Sequence, residues 1–180
     1  MLSSKLVSSD GYLALPTSSL GTDYMHCGYY DFKQERSWRG GFIVIATEDK
    51  TEVTINLKGR GKLFAKTQSG TKIGEVLTFT LDRGQVYNVT GDGTTQDVFD
   101  LTGSKIHANK PIGLISYHER TTIPQNANNG SDFICEMMPP TSAWGKKYCA
   151  LDFKRLNKGD FFRIVASKNN TYWKMKYYDK

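Results

Sequence analysis

Short apolar and alternating segments separated by polar turn residues are the feature that most restricts the fold of this chain. Phe42–Ala46 is a continuous apolar run, and Glu52–Leu57 alternates polar with apolar residues. Such runs are typical of strands, since alternate side chains of a strand point to opposite faces. The polar residues Glu48–Lys50 lie between them, so we expect the two strands to form a hairpin.

Two further pairs of segments show the same organisation. In the first pair, the expected strands Val76–Leu81 and Gln85–Val89 are separated by the turn Asp82–Gly84. In the second pair, the expected strands Lys105–Ala108 and Ile112–Tyr117 are separated by the turn Asn109–Pro111. Strands at this spacing, with turns rich in Gly, Asn and Pro, favour a sandwich or barrel. The sequence therefore predicts an all-β fold, an antiparallel β-sandwich.

A candidate internal repeat divides the chain. Phe42–Ile55 aligns with Phe162–Met175 at an offset of 120 residues, with identical Phe, Ala and Thr at three positions. We expect a β-sandwich module over residues 10–150. Residues 151–180 are then either the start of a second, truncated β unit or strands that complete the first.

The charge of the chain is concentrated at its C-terminal end. Lys146–Lys180 carries 10 basic and 3 acidic residues, a net charge of +7, whereas the first 145 residues sum to −1. Since the body is nearly neutral, we expect no nucleic-acid partner. No apolar run approaches the ~18 residues of a membrane-spanning helix, so we expect no membrane insertion.

Three cysteines, Cys27, Cys135 and Cys149, leave at least one thiol without a partner in this chain. Cys135 and Cys149 flank Pro139–Pro140, and a disulfide between them would contribute about 3 kcal/mol. The alternative is two thiols on neighbouring strands. The N-terminus has no apolar signal core, so the protein is either cytosolic or part of a longer chain.

The most distinctive stretch runs from Asp100 to Tyr148. It reads DLTGSKI, then ANKPI, SYH and SD, and ends in EMMPPTSAWGKKY. This stretch resembles the N-terminal domain family of the IgGFc-binding proteins, and the resemblance extends over roughly residues 10–178. It implies an extracellular β-rich module of a large mucus-associated or cell-surface adhesive protein, with no established enzymatic activity. We also expect no cofactor and no metal.

The sequence departs from the family pattern at one corner. Family members often place a cysteine shortly after the position of His118 and another just before the position of Asp132. This chain has Arg120 and Ser131 there, so the disulfide that the resemblance implies cannot form. Phe133 replaces a histidine of the family pattern.

Polar residues near this corner have two interpretations. His118, Asp132 and Glu136, with Glu119, are the side chains that a metal-dependent hydrolase would use. The alternative is that they are hydrogen-bonding residues of strand ends. A set of acidic residues, Asp92, Asp97 and Asp100, lies near glycines, but its spacing does not match an EF-hand and favours solvated turn residues.

Aromatic residues supply the other candidate ligand-binding positions, namely Tyr29, Tyr30, Trp38 and Trp144. Aromatic loops bind sugars and proteins, and they also cover the edges of sandwiches. We expect a non-enzymatic extracellular binding or adhesion module that recognises a protein or glycan beside neighbouring domains of a longer chain. The alternatives are the hydrolase using His118, Asp132 and Glu136, and a structural spacer in a repeat array.

Overall fold

The computed structural model describes residues 2–5, 8–30, 32–33, 37–60, 66–92, 99–123, 130–151 and 160–176. Its strands are β1 (Leu2–Lys5), β2 (Ser8–Gly11), β3 (Gly21–Met25), β4 (Phe32–Lys33), β5 (Ser37–Trp38), β6 (Gly40–Ala46), β7 (Thr51–Asn56), β8 (Val76–Leu81), β9 (Val86–Thr90), β10 (Lys105–Thr121) and β11 (Asp132–Met137). Helical structure is limited to two 3₁₀ turns, Thr17–Ser19 and Thr141–Ala143, in these residues. The all-β prediction is confirmed. Over the same ranges, no helix has the length and hydropathy needed to cross a bilayer.

The 17-residue strand β10 is the centre of the main sheet. Its first half pairs with β3 on one edge and β7 on the other, and its second half pairs with β6 and β11. All four partners are antiparallel to it. Since β8 extends the sheet beyond β7 and β9 extends it beyond β6, each half of β10 carries its own set of neighbours.

The three predicted hairpins are wrong, because each pair of segments forms one long bent strand. β6 and β7 follow one another along β10 instead of pairing together, and β8 and β9 follow one another along β7 and β6. The third pair is the single strand β10. The polar residues at 48–50, 82–84 and 109–111 are therefore corners at which a strand passes from one half of the sheet to the other, a device of orthogonal sandwiches.

Hydrogen bonds join the three corners to one another. The Thr47 hydroxyl donates to the Pro111 carbonyl at 2.5 Å, and Lys110 Nζ donates to the Asp49 carbonyl at 2.6 Å. The Arg83 amide donates to Asp49 Oδ1 at 3.0 Å. Because the corners are at the same level of the sheet, all three long strands bend together.

The bend encloses one apolar core between the two halves of the sheet. On β10 the buried positions are even-numbered on both sides of the corner, apart from Gly113 and Thr121, so the alternation continues through the corner. On β6 the buried positions are even-numbered apart from Gly41, and on β7 they are odd-numbered, since the corner adds residues there. The most deeply buried apolar side chains are Phe42, Val44, Val53, Ile55, Leu57, Ile106, Ile112 and Leu114.

The described part of the C-terminal region, residues 160–176, contains a turn at 167–170 and forms no strand. Several of its apolar side chains are exposed. The division of the chain into units at 10–150 and 151–180 stays a prediction.

Two of the three histidines are buried inside the bent sheet. His26 packs against Phe42 at 4.8 Å between ring centroids, and its Nδ1 lies 2.8 Å from the Ser116 hydroxyl. Burial lowers the pKa of His26 to about 3 and that of His118 to about 4, from an ordinary value of 6.5. Both rings are therefore neutral at pH 7.

Acid should unfold this protein through these two rings. Because the unfolded chain protonates its histidines near pH 6.5 and the folded chain does not, stability is full above pH 6.5 and decreases as the pH falls towards 4. Protonation of His118 should lower the free energy of unfolding by on the order of 3 kcal/mol. Urea unfolding at pH 7.5 and at pH 4.5 measures this difference. The exposed His107 is the control: H107Q should lose as much stability as the native chain, and equal stability at the two pH values would contradict the prediction.

Candidate binding surface beside Arg163

An ion pair between Asp100 and Arg163 connects residues 160–176 to the sheet. Arg163 Nη2 donates to Asp100 Oδ2 at 2.6 Å, and the Asp100 side chain is only 2% exposed. The Thr102 amide donates to the other carboxylate oxygen, Oδ1, at 2.9 Å. A buried carboxylate of this kind is stable only when its charge is paired and its oxygen atoms are hydrogen-bonded.

The backbone holds Asp100 in place as well. Its amide and carbonyl exchange hydrogen bonds with Arg60 at 2.9 and 2.8 Å. Gly59 has a φ of +131°, and a Cβ there would lie 1.9 Å from the Asp100 carbonyl oxygen. Burial by itself would raise the pKa of Asp100, but the hydrogen bonds from Arg163 and Thr102 outweigh burial and hold that pKa below its ordinary value.

Arg163 also bonds to the loop that follows β3. Its Nη1 donates to the Gly28 carbonyl and, at 3.1 Å, to the Thr102 hydroxyl. The same hydroxyl accepts a hydrogen bond from the Gly28 amide at 2.9 Å. One guanidinium group thus joins three segments that are far apart in the sequence.

Tyr29 and Tyr30 form an aromatic layer over this ion pair. The guanidinium carbon of Arg163 lies 5.5 Å from the centroid of each ring, and that of Arg60 lies 4.8 Å from the Tyr30 ring. Arg60 also donates to the Tyr30 hydroxyl. Tyr29 is buried, with Phe161 at its edge, whereas Tyr30 is half-buried and Arg60 is exposed. The accessible part of the layer is therefore Tyr30 with Arg60.

His118 supports this layer from inside the sheet. Its Nε2 donates to the Tyr30 carbonyl at 2.7 Å, and its Nδ1 accepts from the Arg120 amide at 3.1 Å. Since one nitrogen must donate and the other must accept, the partners select the neutral tautomer with hydrogen on Nε2. Both nitrogen atoms are thus used to position the backbone.

An open cavity of about 640 Å³ lies beside the Arg163 network. Lys58 and Lys105 contribute positive charge to its lining, and Asn56, Thr102 and Asn169 contribute polar groups. Its remaining lining residues are Met25, Gly103 and Ile164–Ser167, so no carboxylate lines it among the described residues. Both lysines are exposed. The cavity is therefore suited to an anionic ligand that also accepts and donates hydrogen bonds.

Trp38 lies against Arg120, two residues after His118 in β10. The Arg120 guanidinium carbon is 5.5 Å from the Trp38 ring centroid, and Arg120 Nε donates to the Ser131 hydroxyl at 2.5 Å. Arg120 and Ser131 are the two positions at which the resemblance described above leads one to expect cysteines. The structure places these positions side by side, and a hydrogen bond connects them.

The remaining predicted site residues do not converge. Asp132 caps the start of β11 by accepting from the Phe133 amide at 2.8 Å, and Glu136 is exposed further along the same strand. His118 is 0% exposed. Trp144 donates from Nε1 to the Pro139 carbonyl at 3.2 Å and closes its own turn. In the described parts of the chain, no three His, Cys, Asp or Glu side chains lie close enough to hold a metal ion.

The cysteines are free thiols in the structure. Cys149 is exposed, whereas Cys27 and Cys135 are half-buried. Burial, first, and then the carboxylate of Asp10 raise the pKa of Cys135 to about 11, which makes its thiol unreactive at neutral pH. The Cys135–Cys149 disulfide stays a prediction, which the intact mass of the unreduced protein measures.

Sequence reasoning missed the centre of this surface. Asp100 was expected in a solvated turn and is instead buried and paired, so that expectation is wrong; Asp97 lies outside the described residues. Arg163 was one basic residue among many in the C-terminal region. The lone charge within the apolar segment Phe161–Ala166 is the sequence signal that distinguishes it.

Comparison with known proteins gives one family. The family model described as "IgGFc binding protein" matches residues 10–178. The human protein named "IgGFc-binding protein" is 32% identical over 127 residues, which are 71% of this chain and 2% of that protein. The chain thus spans a small fraction of this relative. No solved structure matches the chain.

Replacing Arg163 should destabilise the fold by leaving Asp100 buried without its partner. We expect R163Q to lower the free energy of unfolding by about 3 kcal/mol at pH 7. R60Q is the control, because Arg60 is exposed and the side-chain contacts described above join it to Tyr30 only. This substitution should lower the free energy of unfolding by less than about 1 kcal/mol. Chemical denaturation measures both, and equal costs would refute the central role of the ion pair.

Introducing cysteines at positions 120 and 131 should create a disulfide. In the double variant R120C/S131C the two thiols lie next to the Thr121–Asp132 pair of β10 and β11, and the bridge should add up to about 3 kcal/mol of stability. Thermal unfolding with and without reductant measures the gain. The single variants R120C and S131C should show no change of melting temperature on adding reductant. A double variant whose mass corresponds to five free thiols, the three native ones and the two introduced ones, would contradict the prediction.

Proposed function

Because this chain belongs to the IgGFc-binding protein family, we propose that it is a non-enzymatic extracellular binding module within a longer secreted or cell-surface protein. Its ligands are glycoproteins, bound through protein or glycan groups. The name of the human relative states that that protein binds the Fc part of IgG. Fc is therefore the first protein ligand to test for this chain.

The cavity beside Arg163 is the observation that carries the proposal. Two exposed lysines and several amide and hydroxyl groups line it without a carboxylate among the described residues. A lysine ammonium is a mobile point charge that suits the carboxylate or sulfate of an acidic sugar. The amides and hydroxyls match the hydrogen-bonding groups of a sugar ring. We therefore favour an acidic glycan as the group recognised.

Tyr30 and Arg60 extend this surface outside the cavity. Tyrosine offers a flat apolar face with a polar edge, and an arginine beside it adds hydrogen-bond donors. Such residues are common anchors in protein interfaces. His118 and the Arg163 network hold the Tyr30 backbone and ring, so little side-chain entropy would be lost on binding. A protein surface that carries the glycan can contact this second area.

The hydrolase hypothesis gains no support from the geometry of its residues. It needs His118, Asp132 and Glu136 to meet around a substrate, yet His118 is buried with both ring nitrogens bonded to the backbone. A histidine with a pKa of about 4 is also a weak base at neutral pH. We propose a supporting role for His118 in holding Tyr30.

A binding experiment with matched variants tests the proposal. The chain is presented to an array of neutral, sialylated and sulfated glycans and, separately, to IgG Fc with and without its glycans. We expect binding to acidic glycans, and K58E/K105E should weaken it at least about tenfold, because two attractive charges become repulsive. K66E/K72E makes the same change in net charge away from the cavity and should leave binding unchanged.

Each other outcome has a defined meaning. Equal loss in both double variants would show that only the net charge matters and would refute the cavity as the site. Binding to Fc that survives removal of the glycans would favour the Tyr30 and Arg60 surface over the cavity. If the folded protein binds none of these ligands, the binding proposal is refuted and a structural spacer is favoured.

A further inference from the structure

The turn at 167–170 reproduces the corner of β6–β7 in conformation as well as in its place in the sequence repeat. At the offset of 120 residues, the corner of β6–β7 at 47–50 corresponds to the turn at 167–170. Lys50 has a φ of +53° and Asn170 a φ of +55°, and these are the two non-glycine residues with positive φ in the described ranges. They are 120 positions apart, so the same unusual backbone conformation occurs at the same place in both copies.

The hydrogen bond that closes the corner is repeated too. Thr51 Oγ1 donates to the Glu48 carbonyl at 2.7 Å, and Thr171 Oγ1 donates to the Lys168 carbonyl at 2.8 Å. A bend of this type is a specific feature of the first copy, where it carries the strand from one half of the sheet to the other. Its recurrence indicates that residues 160–176 have the geometry of a corner strand.

The positions that face the core in the first copy also carry apolar side chains in the second copy, but there these side chains are exposed. Phe42, Val44, Val53 and Ile55 are at most 1% exposed, and their counterparts Phe162, Ile164, Trp173 and Met175 are between 46% and 63% exposed. An apolar face of this regularity in water is costly. In the first copy this face is buried in the core that the bent sheet encloses, and the sheet exists because the strand has a partner along each edge.

The strands flanking the first copy are β10 on one edge and β8–β9 on the other. Among the described residues, the backbone of 160–176 makes no ladder with any strand. A strand that makes no ladder and has an apolar face is a template for further strands. We propose that residues 160–176 are the first strand of a second bent sheet, and that its partners are two antiparallel strands of the same design as β8–β9 and β10.

The Asp100–Arg163 pair determines how the second sheet is attached. Arg163 corresponds to Ile43, which lies on the opposite face of β6 from Phe42 and Val44. Its guanidinium reaches back to Asp100 of the first sheet, whereas Phe162, Trp173 and Met175 line no part of the cavity on that side. The charge on one face anchors the strand, and the apolar face stays available for its partners.

An extended chain tests this proposal. Residues 61–121 of this protein, which contain β8, β9 and β10, are appended directly after Lys180, the position that corresponds to Arg60 at the offset of 120. If residues 160–176 are a corner strand, the extension supplies its missing neighbours in their original spacing. We expect amide hydrogen exchange over 162–166 and 171–175 to slow at least about tenfold relative to the native chain.

Adjacent aromatic residues provide the matched control. Trp173 corresponds to the buried Val53, whereas Tyr172 corresponds to the exposed Glu52 and is itself 97% exposed. In the extended chain, W173S should abolish the slowing of exchange and Y172S should leave it intact, although Tyr172 is the more exposed ring. Neither residue lines the cavity, so the ligand surface is unaffected.

Several results would overturn the proposal. Unchanged exchange in the extended chain, with the first sheet still protected, would show that 160–176 does not accept these strands. An equal effect of W173S and Y172S, or of an extension with scrambled sequence, would show that the protection is unspecific. Self-association of the unextended chain that W173S abolishes would assign the face to a second copy instead.

Discussion

Hydrogen bonding along both edges of β10 is the constraint on which the rest of the structure depends. A buried backbone amide without a partner is costly, so a 17-residue strand through the centre of a domain needs neighbours along its whole length. No single neighbour provides them. β3 and β7 serve the first half and β6 and β11 the second. Because the neighbours change at the corner, the sheet bends there, and the bend creates the space that the core fills.

The Asp100–Arg163 pair gives this fold a surface that can act as a site. A carboxylate that is 2% exposed must have a cation, and the cation comes from a segment outside the bent sheet. Arg163 then fixes the tyrosine layer above it and places residues 164–167 opposite Lys58 and Lys105, which forms the cavity. A single buried charge therefore accounts for the tyrosine layer, the cavity and the attachment of the C-terminal segment.

The candidate site was predicted only in part, and the pattern of success has physical reasons. Tyr29, Tyr30 and His118 were singled out from the sequence, and the structure brings them into contact, although His118 acts by holding a carbonyl. Asp100 was placed in solvent because an aspartate near glycines usually lies in a turn. Its partner is 63 residues away, and no local pattern reports contacts across that separation.

The sequence by itself indicated the family, the strand segments of β6 to β10 and the polar turns within them, because alternation and turn chemistry are local properties of neighbouring residues. It placed polar residues 48–50, 82–84 and 109–111 correctly at points where the chain changes direction. Only the tertiary structure decided whether each point was a hairpin or a corner. Both need the same turn residues, and they differ in which distant strand supplies the hydrogen bonds, a choice that depends on β10 and on the closing of the core around it.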